Sequence, residues 1–222
     1  MQNWQAFIFD FDGVLVDSVE VKTRAFAKLY EPYGKRIVDL VIEHHRNNGG
    51  MNRFDKFRYY HSEFLERPLN DQGVMDLAEA FSRIVIDEVI ASPEIPGARI
   101  FLKECSPAIP CFINSATPEN ELREIVFQRK LTPFITDIFG APRSKTDNMG
   151  IILNQYNLDN KRCLFFGDAL SDYKAAIAHD VEFVGIVPDE EAPLLKSTSG
   201  IIWKRDFNEV GRWLNLFKHN EA

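Results

Sequence analysis

Two hydrophobic rhythms divide this chain. Ala6-Phe7-Ile8-Phe9 is an unbroken apolar run that stops at Asp10 and Gly13. That is the pattern of a strand buried on both faces and ending in a loop. From about Ser18 to Ser92 the spacing turns helical throughout. Ala25, Phe26, Leu29 and Tyr30 form one apolar stripe, and Val38, Val41 and Ile42 a second that ends before the breaker Asn47-Asn48-Gly49-Gly50. Phe54, Phe57, Tyr60, Phe64 and Leu65 form a third, closed by Pro68. Leu77, Ala78, Phe81, Ile84, Val85 and Val89 form a fourth, opened by an Asn70 or Asp71 cap.

After the punctuation of Ser92-Pro93 and Pro96-Gly97 the texture becomes alternation. Helices are expected over 98–104, 118–130, 145–156, 171–179 and 206–217. Strands are expected over 111–114, 163–166, 183–187 and 201–203, with an extended piece over 134–139. Strands alternating with helices build βαβ units and a parallel sheet. The fold class is therefore α/β, a doubly wound and mostly parallel sheet interrupted after its first strand by an all-helical insert. We place the core at residues 1–17 and 93–222 and the insert at 18–92. Chain order puts the insert over the carboxyl edge of the sheet, where open α/β sheets bind ligands.

The polar residues that matter fall at strand ends. Asp10 and Asp12 follow the first strand, Ser115 and Thr117 the second, and Asp168 and Asp172 the strand that opens at Cys163; Lys145 opens a helix. In a parallel sheet these gather on one edge. Four carboxylates there repel one another unless a cation joins them, and oxygen ligands suit Mg²⁺. A hydroxyl, a lysine and helix N-terminal N–H groups then suit a phosphate beside the metal. An EF-hand reading of Asp10-Phe11-Asp12-Gly13 fails, because Val14, Leu15 and Val16 occupy the stretch that should carry further oxygen ligands.

These segments resemble the haloacid dehalogenase-like hydrolases. Phe9 to Ser18 looks like the family's first motif, Ile113-Asn114-Ser115-Ala116-Thr117 like its second, and Gly167-Asp168-Ala169-Leu170-Ser171-Asp172 like its fourth. The insert looks like the type 1 cap of phosphoglycolate phosphatase and β-phosphoglucomutase. The third motif departs from the common Lys-Pro pattern. Lys145 is placed there because it opens an apolar helix, with Arg143 as competitor.

The resemblance implies Asp10 as the nucleophile and Asp12 as the acid and base. Asp168, with Asp10 and the backbone carbonyl of Asp12, would bind Mg²⁺, and Asp172 would be a further ligand or would support the ligands from behind, while Ser115, Ala116 and Lys145 would hold the phosphoryl group. An acid at Asp12 separates the chain from the metal-free dehalogenases and favours phosphoryl transfer. The expected activity is a Mg²⁺-dependent phosphatase acting through an aspartyl-phosphate on a small phosphate ester, a sugar phosphate or a phosphoglycolate-like acid.

A phosphomutase is the alternative. Its cap histidine, however, is matched here by Lys22, and His44, His45 and His61 lie elsewhere by spacing. Phosphonate cleavage would need a Schiff-base lysine, for which Lys22, Lys28 and Lys56 are available by type. Within the insert, Gly49, Gly50 and Arg53 are expected to face the substrate. The competing reading makes Arg53, Lys56 and Arg58 a solvated helix face.

Composition changes this picture little. There are 26 Lys and Arg against 33 Asp and Glu, a net −7, which argues against a nucleic-acid backbone binder. No apolar run approaches a membrane span, and the first five residues lack the basic start of a signal peptide. Cys105, Cys111 and Cys163 are too few for a disulfide framework and suit a cytoplasmic protein. A monomer or homodimer is expected.

Overall fold

The computed structural model describes residues 4–214. Six strands, all paired in parallel, form one sheet in the order β3-β2-β1-β4-β5-β6. They are β1 (Ala6–Phe9), β2 (Cys111–Pro118), β3 (Asp137–Ala141), β4 (Cys163–Gly167), β5 (Glu182–Ile186) and β6 (Ile202–Lys204). The chain leaves β1 for β2 on one side and later returns to β4 on the other. The order therefore reverses at β1, and the crevice of a doubly wound sheet opens at its carboxyl end. That is where Asp10 and Asp12 stand.

Alternation along β1 sorts its side chains between the two faces. Phe7 and Phe9 join Phe101, Phe166 and Phe207 on one side, with the Phe9 and Phe166 rings stacked 5.1 Å apart. Ala6 and Ile8 join Phe112, Met149 and Phe165 on the other. Both faces are covered, which is why the strand reads as an unbroken apolar run.

Between β1 and β2 the chain forms helices α1 (Val19–Tyr30), α2 (Lys35–Asn47), α3 (Arg53–Tyr59), α4 (Asp71–Ala91) and α5 (Ala98–Cys105). The first four are the stripes seen in the sequence. Their shared core is aromatic: Phe57 and Tyr60 are fully buried, and Phe26 and Phe81 lie 4.4 Å apart. The α4 cap is Asn70, whose side chain accepts the Gly73 N–H at 2.8 Å. The chain enters and leaves this insert along two paired backbone stretches. Asp17 N–H donates to Pro93 O at 2.9 Å and Ile95 N–H to Leu15 O at 3.1 Å.

The remaining helices are α6 (Glu119–Gln128), α7 (Lys145–Gln155), α8 (Leu170–Ala178), α9 (Pro193–Ser197) and α10 (Phe207–Trp213). Three expectations shift. The third apolar stripe passes at Tyr60–Phe64 into a wider π turn, with Leu65 N–H bonding Tyr60 O at 3.2 Å, which buries both Tyr60 and His61. The extended piece begins later than 134, because Thr132–Phe134 is a 3₁₀ turn built on Pro133, which has no N–H for a ladder. Helix α10 starts at Phe207 and not at 206, because Asp206 is its cap and accepts the Glu209 N–H at 3.0 Å, while positions 215–217 lie outside the described residues. The short helix α9, opened by a Pro in its first turn, has too few apolar positions to show a period.

Candidate active site

Asp10 leaves β1 nearly buried, 5% exposed, with its carboxylate fixed at both oxygens. Oδ1 accepts the Phe11 N–H at 2.6 Å and Oδ2 accepts Lys145 Nζ at 2.6 Å. Lys145 opens α7 behind the cap Ser144, whose Oγ accepts the Asp147 N–H at 3.0 Å. Its backbone carbonyl is held by Asn114 Nδ2 at 2.8 Å, which ties the helix start to β2. Lys145 also donates to Asp172, whose other oxygen accepts the Ala169 N–H at 3.0 Å. Arg143 points away, paired with Glu119 and bonded to Asn148 at 2.8 Å. Of the two cations, Lys145 is the one that reaches Asp10.

Asp10, Asp168 and Asp172 present ligand oxygens all within 4.8 Å of one another. One ammonium thus faces three carboxylates. Burial, and then Asp10 and Asp172, push the Asp168 carboxyl well above the usual carboxylate range. Burial opposes the charge on Lys145, but Asp10 and Asp172 outweigh it and hold the ammonium above its ordinary pKa. The surplus of two negative charges, carried entirely by oxygen donors, fits a hard divalent cation. Gly13 is required here. Its φ is +80°, and a Cβ would lie 2.3 Å from Asp168 Oδ2, so only glycine lets this carboxylate in.

Asp12 stands apart from that cluster and has its own partners. Its Oδ1 accepts Ser18 Oγ at 2.6 Å, and its Oδ2 accepts Thr117 Oγ1 at 2.9 Å and Lys22 Nζ. Lys22 also donates to Thr117 Oγ1 at 2.7 Å. Burial raises the Asp12 pKa, but Lys22 above all, with Ser18 and Thr117, brings it below the usual range. Ser115 is 1% exposed, and its Oγ accepts the Thr117 N–H at 3.2 Å.

A cavity lies between this edge and the insert. Asp10, Asp12, Ser115, Ala116, Lys145 and Asp168 line it from below, and Lys22, Gly49, Arg53 and Lys56 from above. Gly50 packs on the loop that carries the acidic motif, close to Ser171. The solvated-face reading of the insert fails for Arg53 and Lys56, which are 5% and 1% exposed. Arg53 reaches the cavity, but its charge is already matched by Glu121 at 2.6 Å and Ser82 at 2.7 Å. It fastens α3 to α6 instead of offering a free cation.

Sequence reasoning gave three groups no role here: it weighed Lys22 and His45 only against the mutase and phosphonate alternatives, and Ser18 only as the end of the first motif. Lys22, Ser18 and His45 have no strand-end signature, since two sit at or just before a helix start and one on an ordinary helix. Only their three-dimensional approach to Asp12 and Lys56 marks them.

The haloacid dehalogenase-like hydrolase family model matches residues 4–180, so the chain belongs to the haloacid dehalogenase-like hydrolases. Solved structures agree on the fold. The haloacid dehalogenase-like family protein SP0104 of Streptococcus pneumoniae is 19% identical, with TM-score 0.72, 96% of this chain covered and 100% of that one. CbbY of Rhodobacter sphaeroides, in complex with xylulose-1,5-bisphosphate, is 16% identical, with TM-score 0.72 and coverage of 94% and 96%. YfnB of Bacillus subtilis, bound to magnesium, is 15% identical, with TM-score 0.71 and coverage of 96% and 99%. No curated protein sequence matches the chain.

Proposed function

We propose that the chain is a Mg²⁺-dependent phosphatase of small phosphate esters working through an aspartyl-phosphate. The observation that carries this reading is the pairing of one oriented carboxylate, Asp10, with a separate half-buried acid–base group, Asp12, on the same floor of one cavity. Asp10 would attack phosphorus, so that a P–O bond to Asp10 forms as the ester P–O bond breaks. The leaving alkoxide takes a proton from Asp12. Water then attacks the aspartyl-phosphate and gives its proton to Asp12, which restores both carboxylic groups and releases phosphate. The contacts from Lys22, Ser18 and Thr117 favour the ionised form of Asp12, the form the second half needs.

Asp10, Asp168 and Asp172, with the Asp12 carbonyl, would hold Mg²⁺, which when bound offsets charge on the phosphoryl oxygens. Lys145 and Ser115 would hold those oxygens from the protein side. Magnesium on YfnB and a sugar bisphosphate on CbbY support the cation and the ligand class. The paired hinge stretches support residues 18–92 as a cap that moves over a core of 1–17 and 93–222. Gly49 and Gly50 would be its contact with the core, and this deep cavity suits a small ester. The three cysteines, buried and unbonded, support a reducing compartment such as the cytoplasm.

Phosphate release from a panel of esters tests the reading. Activity should vanish in excess chelator, return with Mg²⁺ and be inhibited by Ca²⁺, which engages more ligands and can occupy both Asp10 oxygens. Full activity in chelator, or unchanged Mg²⁺ dependence in Asp168→Ala, would refute it. A rearranged ester that appears only with a bisphosphate primer would make it a mutase.

A further inference from the structure

Buried cations in this chain are matched by carboxylates. Arg53 has Glu121 at 2.6 Å, Lys145 has Asp10 at 2.6 Å as well as Asp172, and Arg129 has Glu94 at 3.6 Å with three backbone carbonyls. Lys56 is the exception among the described residues. It is 1% exposed, its Nζ is 2.7 Å from His45 Nδ1, and its remaining neighbour of note is the Phe26 ring at 5.5 Å. No carboxylate pairs with it, although burying an unmatched ammonium is costly.

His45 sharpens the point. A protonated Lys56 can only donate, so Nδ1 must accept and the neutral ring carries its proton on Nε2. Burial first, and then Lys56, push the imidazole down to about 2, so the ring stays neutral. Its Nε2 is buried with no partner. Burial lowers Lys56 to about 7, with Lys22 and Lys145 adding to the shift and Asp12 opposing it. Two donor groups therefore lack acceptors, and both residues line the cavity that holds Asp10 and Lys145.

We propose that Lys56, held in place by His45 Nδ1, is a receptor for a carboxylate on the part of the phosphate ester remote from phosphorus. The proposal rests on the phosphatase reading and narrows its substrate class to phosphorylated acids. A carboxylate brings only acceptors, and its single charge matches the single ammonium. A neutral hydroxyl would fill the space but leave Lys56 without a counter-charge.

The test uses non-hydrolysable probes, so it reads binding independently of turnover. Phosphonoacetate, 3-phosphonopropionate and 4-phosphonobutyrate are titrated into the Mg²⁺-loaded enzyme by calorimetry, each beside its carboxamide. At the best chain length the acid should bind about 10- to 100-fold tighter than its amide, the discrimination expected when buried donors meet or miss their acceptor. Lys56→Met should erase that ratio, and Lys56→Arg, which keeps the charge, should retain part of it. Equal binding of acid and amide at all lengths overturns the receptor, as does an undiminished ratio in Lys56→Met. Tighter binding of methylenebisphosphonate than of any carboxylate overturns the carboxylate assignment. An enzyme that shows the ratio but hydrolyses no phosphate ester would keep the receptor and remove the phosphatase.

Discussion

The two ends of the cavity solve the burial of charge in opposite ways. At the sheet edge every cation has a carboxylate partner: Lys145 with Asp10 and Asp172, Lys22 with Asp12. What is left over is negative, and it is concentrated in the triad Asp10, Asp168 and Asp172. At the cap end the matched pair Arg53–Glu121 closes the joint, and what is left over is positive, on Lys56. Leftover charge marks where something is missing from the protein alone. A cation answers the first end and an anionic group the second. The matched pairs between them fix geometry.

The comparison breaks most severely at the nucleophile. Asp10→Asn keeps the shape and the hydrogen bond from Phe11 but removes the attacking charge. Turnover should fall by at least about 10³-fold, because a covalent step is lost outright. Single-turnover phosphate release checks this. Near-normal turnover from a deamidation-free sample would show that the oriented carboxylate at the sheet edge is structural.

Next in size is the matched pair of the joint. Arg53→Met leaves Glu121, its side chain 7% exposed, without its cation, and Ser82 alone cannot neutralise it. Stability in urea should drop by about 3 kcal/mol, the cost of breaking a buried pair on one side. Adding Glu121→Gln should recover a large part of that loss. If the double variant is as weak as the single one, Arg53 acts through packing on the Phe81 ring, 4.5 Å from its guanidinium, and not through charge.

Lys56 should respond in the reverse direction, because its charge is unmatched. Its pKa is lowered to about 7 in the native chain and stands at 10.5 in the unfolded one, so between these values the unfolded state holds the extra proton. Stability must then rise with pH through that window, by up to about 1.4 kcal/mol per pH unit, and the full penalty is present below pH 7. Lys22, Lys145, Asp12 and His45 face this amine and stay in place. Lys56→Met should therefore stabilise the protein at pH 7 and flatten the slope between pH 7 and 10. Equal slopes in both proteins would mean the buried amine finds a counter-charge.

Much of this was legible before the structure, and for a physical reason. Parallel strands bring their carboxyl ends to one edge, so Asp10, Asp12, Ser115, Lys145, Asp168 and Asp172 were marked by position in the alternation alone. The structure places all of these side chains but Asp172 around one cavity, and Asp172 lies buried behind them, paired with Lys145. The cap end has no such rule. A lysine on a helix such as Lys56 reads as a solvated charge, and its burial depends on how α2 and α3 pack. That is a matter of tertiary contact and not of period. Arg53 was drawn to the cavity by residue type, yet its partner Glu121 lies 68 residues away and nothing local announces it. Arg143 and Lys145 could not be separated by spacing. The bond from Asn114 to the Lys145 carbonyl, which anchors the start of α7, separates them.

The smallest effect lies at the seam between the two ends. Gly49 and Gly50 were expected to act together as one loop, but the structure makes them unequal. A Cβ on Gly50 would lie 1.6 Å from Ser171 Oγ and 2.6 Å from Ser171 Cβ. Rotating the serine can remove the first clash and cannot remove the second, so the loop itself must shift. Ser171 lies within the acidic motif, and the shift moves the loop relative to Asp168 and Asp172. A Cβ on Gly49 meets nothing nearer than Ala169 Cβ at 3.9 Å, an ordinary contact. Gly50→Ala should therefore lower kcat/KM by about tenfold, since small misplacement of a closed site is enough for that. Gly49→Ala should lower it by about threefold or less, with Mg²⁺ affinity moving less than KM in both. Kinetics on the best ester from the panel decide the matter. If the two alanine variants are equally impaired, the loop acts through flexibility and not through its close approach to Ser171.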